Sequence, residues 1–321
     1  MTQKQTISNK EQKVYIATSG SDYLDIDAYA CCVAMKELLC LQGINAIAYS
    51  TAQTNYSICD FLIHPGQIST ALPDNLKLDT TKYIIVDVSN PNYFQKDIPQ
   101  DNIIAVYDHH IGFEDYWGKL IGEKACIEFI GAAATLVFRE WKKSGMQKQM
   151  TRDTALLLVA AILDNTLNLM SGNTTVEDIE SLEELCSIAG INDEWRSYYF
   201  LEVQKKIEKD LKNALFRDVK KVASDIELPE YIGQVAVWNS GAVLEKIDVI
   251  REWFNSKWKD WMLNIVDIEH HRACFVCDDS FFEDKISHIF DISFTNGIAE
   301  LEQPYLRKQI IKKVKESKNN D

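Results

Sequence analysis

Residues 102–110, NIIAVYDHH, carry an apolar, β-branched run directly into Asp108, His109 and His110. Near-continuous apolar runs of this kind are typical of a strand whose two faces are both covered by helices. The polar triplet therefore falls at the carboxyl end of a predicted strand, which is the edge where open α/β sheets bind ligands. The segment predicts both a buried parallel strand and a polar site at its end.

The rest of the N-terminal half repeats this alternation of strand and helix. Further apolar runs precede the quoted one at KVYIAT (13–18), INAIAYS (44–50) and YIIVDV (83–88), and helical patterns cover 28–41, 132–143, 152–163 and 176–189. We predict an α/β fold: a helix-covered, mainly parallel sheet followed by a smaller C-terminal α/β domain. The predicted boundaries are 1–190 for the first domain, 191–199 for a linker and 200–321 for the second. A charged helix is predicted over 194–216, and Pro304 is expected near the start of the last helix.

Composition restricts the class of function. The chain has 321 residues, a net charge of −14 and 8 cysteines. An acidic surface argues against a protein that coats long nucleic acid, and the cysteines without a small disulfide framework favour a reducing cytoplasm. The polar N-terminus predicts no signal peptide, and the longest apolar run, 155–163, is too short for a membrane span.

Acidic side chains also follow two other predicted strands. Asp25 and Asp27 come just after the first strand, and Asp87 comes after the third. Carboxylates packed together repel one another unless they are protonated or neutralised by cations. Oxygen and imidazole ligands favour Mn²⁺, Mg²⁺, Fe²⁺ or Co²⁺ over a thiolate zinc site. Each motif alone also occurs as a helix cap or turn, but the three in this order favour a metal centre for phosphoryl transfer.

Together these segments resemble the DHH phosphoesterase superfamily. The resemblance rests on DIDA (25–28), IIVD (84–87), DHH (108–110), GAAATLV (131–137) and AILDNTLNLMSGNTTVED (161–178). The C-terminal segments RDVKK (217–221) and LRKQII (306–311) resemble the second domain shared by family II inorganic pyrophosphatases and cytosolic exopolyphosphatases.

The resemblance implies a set of metal ligands. Asp25 and Asp87 would bind one ion, and Asp27, Asp87 and His109 would bind the other, with Asp87 bridging the two. Asp164, in the fourth motif, is a further candidate. Mn²⁺ is the expected ion, with Mg²⁺ or Co²⁺ as alternatives and up to two ions per chain.

The resemblance also implies residues that handle the substrate. Asp108 would orient the neighbouring histidine, and His110 would face the substrate phosphate. Lys220 and Arg307, from the second domain, would bind phosphate oxygens across a cleft between the domains.

Three positions depart from the family pattern. Ser21 stands where the family usually has a histidine, four residues before Asp25, so the ion bound by Asp25 is expected to be weak or absent. In the fourth motif the register places Asn165, a neutral ligand, at the usual aspartate position and Asp164 one residue early. Near the C-terminus the family usually has Arg-Lys-Lys-Gln, where this chain has LRKQ (306–309). One of the usual phosphate-binding cations is therefore missing, and Arg307 and Lys308 remain.

The predicted function is metal-dependent hydrolysis, by metal-activated water, of a phosphoanhydride or phosphoester bond in a small anionic substrate. Pyrophosphate or short polyphosphate is favoured. One alternative is a short-oligonucleotide or cyclic-dinucleotide phosphodiesterase. Another is a catalytically weak or inactive homologue that binds a phosphorylated ligand. No long nucleic acid and no membrane is expected as a partner, and the oligomeric state is left open, with a homodimer as one alternative.

Overall fold

The computed structural model describes residues 14–74, 76–77, 80–222 and 226–318. Its strands and helices are, in chain order, β1 (Val14–Thr18), β2 (Tyr23–Leu24), α1 (Ile26–Leu41), β3 (Asn45–Tyr49), β4 (Gln53–Thr54), β5 (Lys82–Val86), β6 (Ile103–Asp108), α2 (Glu114–Ile121), β7 (Ala125–Ile127), α3 (Ala133–Lys143), α4 (Arg152–Asn165), α5 (Val176–Ala189), α6 (Glu194–Lys209), α7 (Leu211–Arg217), β8 (Val219–Lys221), β9 (Tyr231–Val237), α8 (Gly241–Leu244), α9 (Ile247–Asn255), β10 (Trp261–Asp267), β11 (Arg272–Val276), α10 (Ser280–Phe290), β12 (Ile298–Leu301) and α11 (Arg307–Lys318). The first residue of the predicted strand 13–18 lies outside the described residues.

The chain divides into two compact units. The first comprises Met1–Asn55, Leu62–Ile162 and Glu180–Ala189, and the second comprises Tyr56–Phe61, Leu163–Ile179 and Gly190–Asp321. Each unit is built on its own five-stranded sheet, and the two-sheet α/β prediction is confirmed.

The sheet of the first unit is entirely parallel, with strand order β3-β1-β5-β6-β7. One core layer contains buried Ile16, Tyr83, Ile85, Val106 and Trp117. The continuous apolar strands are explained by this burial, because parallel strands covered on both faces expose neither set of side chains. The order places β1, β5 and β6, the strands that lead into the acidic motifs, side by side.

The sheet of the second unit is mixed, with strand order β12-β11-β10-β9-β8. Only β9 and β10 run parallel; the other pairs are antiparallel. Its core contains Ile232, Met262, Phe275, Phe290 and Ile310, so α10 and α11 contribute to the same apolar layer.

Several element predictions need correction. The single helix predicted over 194–216 is wrong, because the chain breaks at Asp210 into α6 and α7. The Asp210 backbone there leaves the helical region, with φ −137° and ψ 45°, and its N–H donates to Ile207 O at 3.2 Å. The last helix begins at Arg307 rather than near Pro304. Sequence patterns also missed α2, β7, α10 and β12.

Among the described residues, no helix combines the length and the apolar character needed to cross a bilayer.

Gly297 is predicted to be essential for the stability of the second unit. Its φ of +72° disfavours any side chain, and an added Cβ would lie 2.7 Å from Cys277 O and 2.8 Å from Asp278 Oδ1. We expect Gly297→Ala to lower the free energy of unfolding by more than about 2 kcal/mol, measured by urea denaturation.

The matched control is Gly118→Ala, in the interior of α2, where an added Cβ meets nothing within 4 Å. Alanine is the better helix former, so a gain of about 0.5–1 kcal/mol is expected. Equal effects of the two substitutions would contradict this account of Gly297.

Candidate metal centre

The candidate ligands of the first unit lie at the carboxyl edge of its parallel sheet. Asp87 follows the last residue of β5, and Asp108 ends β6. Asp25 and Asp27 follow β1, after a short loop that contains β2. Because β1, β5 and β6 are neighbours in the sheet, their ends bring these side chains together.

Asp25 and Asp27 are positioned by helix N-termini. Asp25 is the N-cap of α1, and its carboxylate accepts a hydrogen bond from Ala28 N at 3.0 Å. Asp27 is fully buried, and its two oxygens accept from Ala133 N and Ala134 N, each at 2.8 Å, at the start of α3. The small residues of GAAATLV therefore let the first turn of α3 hold an anion through its backbone.

The surroundings of Asp27 still disfavour its charged form. Burial, followed by the negative charge of Asp25, raises the pKa of Asp27 to about 7, although the α3 amides act in the opposite direction. Burial likewise raises the pKa of Asp25. Bringing these carboxylates together without a cation is therefore unfavourable.

Asp87 is held in a strained backbone conformation. Its φ is +57°, a left-handed value that is uncommon outside glycine, and its N–H donates to Tyr107 O at 2.8 Å. The side chain is 7% exposed, and Oδ1 is buried without accepting a hydrogen bond from any described residue. Burial, then the charges of Asp27, Asp25 and Asp108, raises the pKa of Asp87 well above its usual value.

His109 faces Asp87 through the nitrogen that can bind a metal. Its Nδ1 lies 3.0 Å from Gly131 O and 3.3 Å from Ile130 O, and since carbonyls only accept, we assign the proton to Nδ1. Nε2 then presents a lone pair toward Asp87 Oδ1 at 3.4 Å. Two acceptors that face each other in a buried site need a cation or a shared proton between them.

Asp108 orients His110 rather than His109. Its Oδ1 lies 2.8 Å from His110 Nδ1 and accepts the His110 backbone N–H at 3.1 Å. Burial acts to raise the pKa of Asp108, but the hydrogen bonds and charge of His110 outweigh it and hold the pKa below the usual value. Sequence reasoning missed Ser89, whose hydroxyl donates to His110 O at 3.2 Å.

The loop that contains Ser21 is anchored by its backbone. Ser21 N donates to Tyr93 O at 2.8 Å, and Gly20 O accepts from the buried side chain of Gln95, also at 2.8 Å. Gln95 belongs to no motif, and no sequence signal pointed to it.

Asp164 and Asn165 are the last residues of α4 and fall in the second unit. Asp164 Oδ1 lies 3.0 Å from the hydroxyl of Tyr199, which is fully buried and also 3.0 Å from Ser57 O. The next turn, 167–169, has three consecutive residues with positive φ. A left-handed turn without glycine is costly, and sequence patterns did not predict it.

Two predicted phosphate-binding cations of the second unit, Lys220 and Arg307, act on Asp218. Arg307 Nη1 donates to Asp218 O at 2.6 Å and Nη2 to Asp218 Oδ1 at 2.5 Å, and the arginine side chain is 14% exposed. Lys220 lies on the short strand β8, which begins directly after Asp218, and its positive charge acts on the Asp218 carboxyl. Lys308 is exposed on the first turn of α11. Sequence reasoning missed Asp218 although it stands inside RDVKK.

The structure therefore brings most of the predicted residues into two groups. The acids of the first three motifs and His109 form a largely buried centre in the first unit, and His110 lies exposed at its edge. Lys220 and Arg307 lie in the second unit with Asp218. The first group fits a divalent cation, because its possible ligands are carboxylate oxygens and imidazole nitrogens. The buried Asp87 Oδ1 also accepts no hydrogen bond from the described residues, and a cation would neutralise it.

Comparison with known proteins shows what the chain is similar to. No family model matches it. Over 246 residues it is 27% identical to a Streptococcus thermophilus protein named "Probable manganese-dependent inorganic pyrophosphatase", covering 73% of this chain and 77% of that protein. A Shouchella clausii protein of the same name is 24% identical over 292 residues, covering 89% and 92%.

The fold has a solved counterpart. A crystal structure of a Methanococcus jannaschii protein, described as a candidate family II inorganic pyrophosphatase, matches with a TM-score of 0.62 at 19% identity, over 96% of this chain and 99% of that one. The resemblance drawn from the motifs is confirmed: the chain is a distant homologue of proteins named manganese-dependent inorganic pyrophosphatase and has the fold of a family II pyrophosphatase.

Proposed function

We propose that the protein is a manganese-dependent phosphohydrolase that acts on pyrophosphate or short polyphosphate. The observation that carries this proposal is the buried Asp87 Oδ1, which accepts no hydrogen bond from the described residues and faces His109 Nε2 at 3.4 Å. The names of the homologues support the metal and the substrate class.

The centre of the first unit would hold the metal. Asp27, Asp87 and His109 are the proposed ligands of one ion, and Asp25 with Asp87 those of a second. Bound ions would polarise the phosphoryl group and provide a nucleophile at neutral pH. The protein itself fixes the geometry: α3 orients Asp27 through two backbone amides, and Gly131 O orients His109.

Lys220 and Arg307 are proposed to bind the substrate phosphates. Asp218 holds the Arg307 guanidinium from one side, which restricts its rotamers and aims the planar group. A net charge of −14 would repel a long polyanion, so a compact substrate fits better.

A second candidate function is binding of a phosphorylated ligand with weak catalysis. It is supported by Ser21 and Asn165 at positions where the resemblance implies stronger ligands, and by Asp164, whose carboxylate already contacts Tyr199 in the second unit. Tight pyrophosphate binding without phosphate release would favour it. The phosphodiesterase alternative predicts release of mononucleotides from short oligonucleotides or cyclic dinucleotides instead.

The proposed function is tested by Asp87→Asn. Asparagine tolerates the left-handed backbone, so the fold should persist while a bridging charge is lost. We expect Mn²⁺ binding, measured by calorimetry, to weaken and pyrophosphate hydrolysis to fall by about a hundredfold or more. The control is Asp101→Asn, an exposed aspartate for which no change is expected. Wild-type metal affinity and activity in Asp87→Asn would contradict the proposal.

The metal-free protein should lose stability as pH rises. The folded-state pKa of Asp27 is about 7, against an ordinary value of 3.8, so between these values the folded state holds a proton that the unfolded state releases. In EDTA we expect the thermal unfolding midpoint to be lower at about pH 7.5 than at about pH 5.

Two comparisons isolate the cause of this pH dependence. Asp27→Asn should flatten the dependence, and Mn²⁺ at the higher pH should restore stability by binding the charged carboxylates. The prediction is contradicted if the thermal unfolding midpoint in EDTA rises with pH. It is also contradicted if Asp27→Asn leaves the pH dependence of that midpoint unchanged.

Arg307→Ala should lower kcat/KM by about tenfold or more, the size expected from losing about 1.5–3 kcal/mol of charge-assisted hydrogen bonding. Mn²⁺ affinity should stay unchanged. The control on the same helix is Lys312→Ala, an exposed cation paired only loosely with Glu316 at 3.8 Å.

Structural damage is separated from lost substrate binding by a second variant. Because Arg307→Ala leaves Asp218 without its strongest partner, adding Asp218→Asn should recover stability and leave activity low. If the double variant recovers activity together with stability, Arg307 does not bind the substrate and this prediction is wrong.

A further inference from the structure

Two amide side chains, Gln234 and Asn264, lie on the core-facing side of the second unit's sheet, and neither belongs to a motif. Gln234 is in β9 and Asn264 in β10, and the two are directly paired in the parallel register of these strands. Alternate residues of a strand face the same side, so both side chains share a face with Ile232 and Met262 of the apolar core. Polar groups in such a layer need hydrogen-bond partners.

Both amides bind the segment at the start of α11. Gln234 Oε1 accepts the backbone N–H of Arg307, the first residue of that helix, at 2.6 Å. Asn264 Nδ2 donates to Tyr305 O at 2.6 Å and lies 3.4 Å from Gln234 Oε1. A helix leaves its first N–H groups without an intrahelical acceptor, and Gln234 supplies one from the middle of β9. The two side chains therefore attach the start of α11 to the centre of the sheet.

Asn264 carries a cost that its own packing does not explain. It is fully buried, and its Oδ1 accepts no hydrogen bond from the described residues. A buried acceptor without a donor disfavours the folded state, whereas an apolar residue of similar volume avoids that cost. Within the described part of the chain, the Asn264 amide contacts Tyr305 and Gln234. Its presence is therefore explained by the segment that it holds.

The guanidinium of Arg307 is fixed at its other end. Nη1 donates to Asp218 O at 2.6 Å and to Ile232 O at 3.1 Å, and Nη2 donates to Asp218 Oδ1 at 2.5 Å. Three of the five guanidinium N–H groups are thus used, and no described residue accepts a hydrogen bond from Nε. Nε and Nη2 share one edge of the planar group, and this edge suits two oxygens of one phosphate.

We propose that Gln234, supported by Asn264, is a positioning residue for substrate binding, an inference that rests on the proposed role of Arg307. Gln234 fixes the Arg307 backbone so that the Nε edge of the guanidinium faces a phosphate of a compact polyanion such as pyrophosphate. The Arg307 side chain is 14% exposed, which leaves it little room to follow a displaced phosphate by changing rotamer. A shift of about 1 Å at the start of α11 would therefore misplace this group and weaken substrate binding.

The test removes the acceptor at Gln234 and measures binding rather than hydrolysis. The probe is methylenediphosphonate, a pyrophosphate analogue that is not hydrolysed, bound to the full chain with Mn²⁺ and measured by calorimetry. We expect Gln234→Met to weaken analogue binding by about fivefold or more and to leave Mn²⁺ affinity unchanged. In an Arg307→Ala background the same substitution should cause no further loss, because Gln234 acts through Arg307. General damage to the second unit would add to the effect of Arg307→Ala instead.

A second variant and a second measurement separate positioning from damage to the fold. Gln234→Asn keeps the amide but shortens the side chain by one methylene, so it should weaken analogue binding as Gln234→Met does. With Mg²⁺ in place of Mn²⁺, whose paramagnetism broadens nearby signals, ¹⁵N-arginine spectra should show the analogue shifting the Arg307 Nε–H resonance less in Gln234→Met than in the wild type. Gln149→Met, at an exposed glutamine of the first unit, is the matched control and should behave as the wild type in both measurements.

The outcomes distinguish this inference from the proposed function. Wild-type analogue affinity in both Gln234 variants, or an equal loss with and without the Arg307 side chain, would overturn the inference, while hydrolysis of pyrophosphate by the wild type would uphold the proposed function. A loss that depends on Arg307, in a protein that does not hydrolyse pyrophosphate, would support the inference and contradict the proposed function. Absence of analogue binding by the wild type would contradict both.

Discussion

Mutual repulsion among buried carboxylates is the constraint around which the first unit is organised. Asp25, Asp27 and Asp87 share the carboxyl edge of one sheet, and burial together with neighbouring charge raises the pKa of all three. A chain that folds this way without a cation keeps an unfavourable charge arrangement among these carboxylates. The same closely spaced carboxylates would bind a metal ion tightly, since each negative oxygen then stabilises the ion.

The surrounding helices reduce the repulsion among these carboxylates but do not remove it. The N-terminus of α3 gives Asp27 two amide hydrogen bonds, and the N-terminus of α1 gives one to Asp25. Helix N-termini favour anions, so α1 and α3, which pack against this sheet, also stabilise its acids. Asp87 has no such helix, and its left-handed backbone adds strain. Asp87 Oδ1, which accepts no hydrogen bond from the described residues, therefore belongs to the residue that every proposed ligand set shares.

The sequence by itself determined the fold class and the location of the centre. Continuous apolar runs specify parallel strands covered on both faces, and the acids that follow them must lie at one edge, because parallel strands all end on the same side. This reasoning placed Asp25, Asp27, Asp87 and His109 together before any coordinates. It failed for the helix across Asp210, where the backbone leaves the helical region, with φ −137° and ψ 45°.

Only the tertiary structure decided which partner each polar group has. Asp108 contacts His110 while a backbone carbonyl holds His109, and adjacent letters in a motif cannot distinguish these pairings. The sequence gives Arg307 no visible acidic partner. In the structure its guanidinium donates a hydrogen bond to Asp218, which is 89 residues away along the chain. Hydrogen bonds depend on distances of a few tenths of an ångström between atoms brought together by packing, whereas sequence periodicity reports only which face of an element is buried.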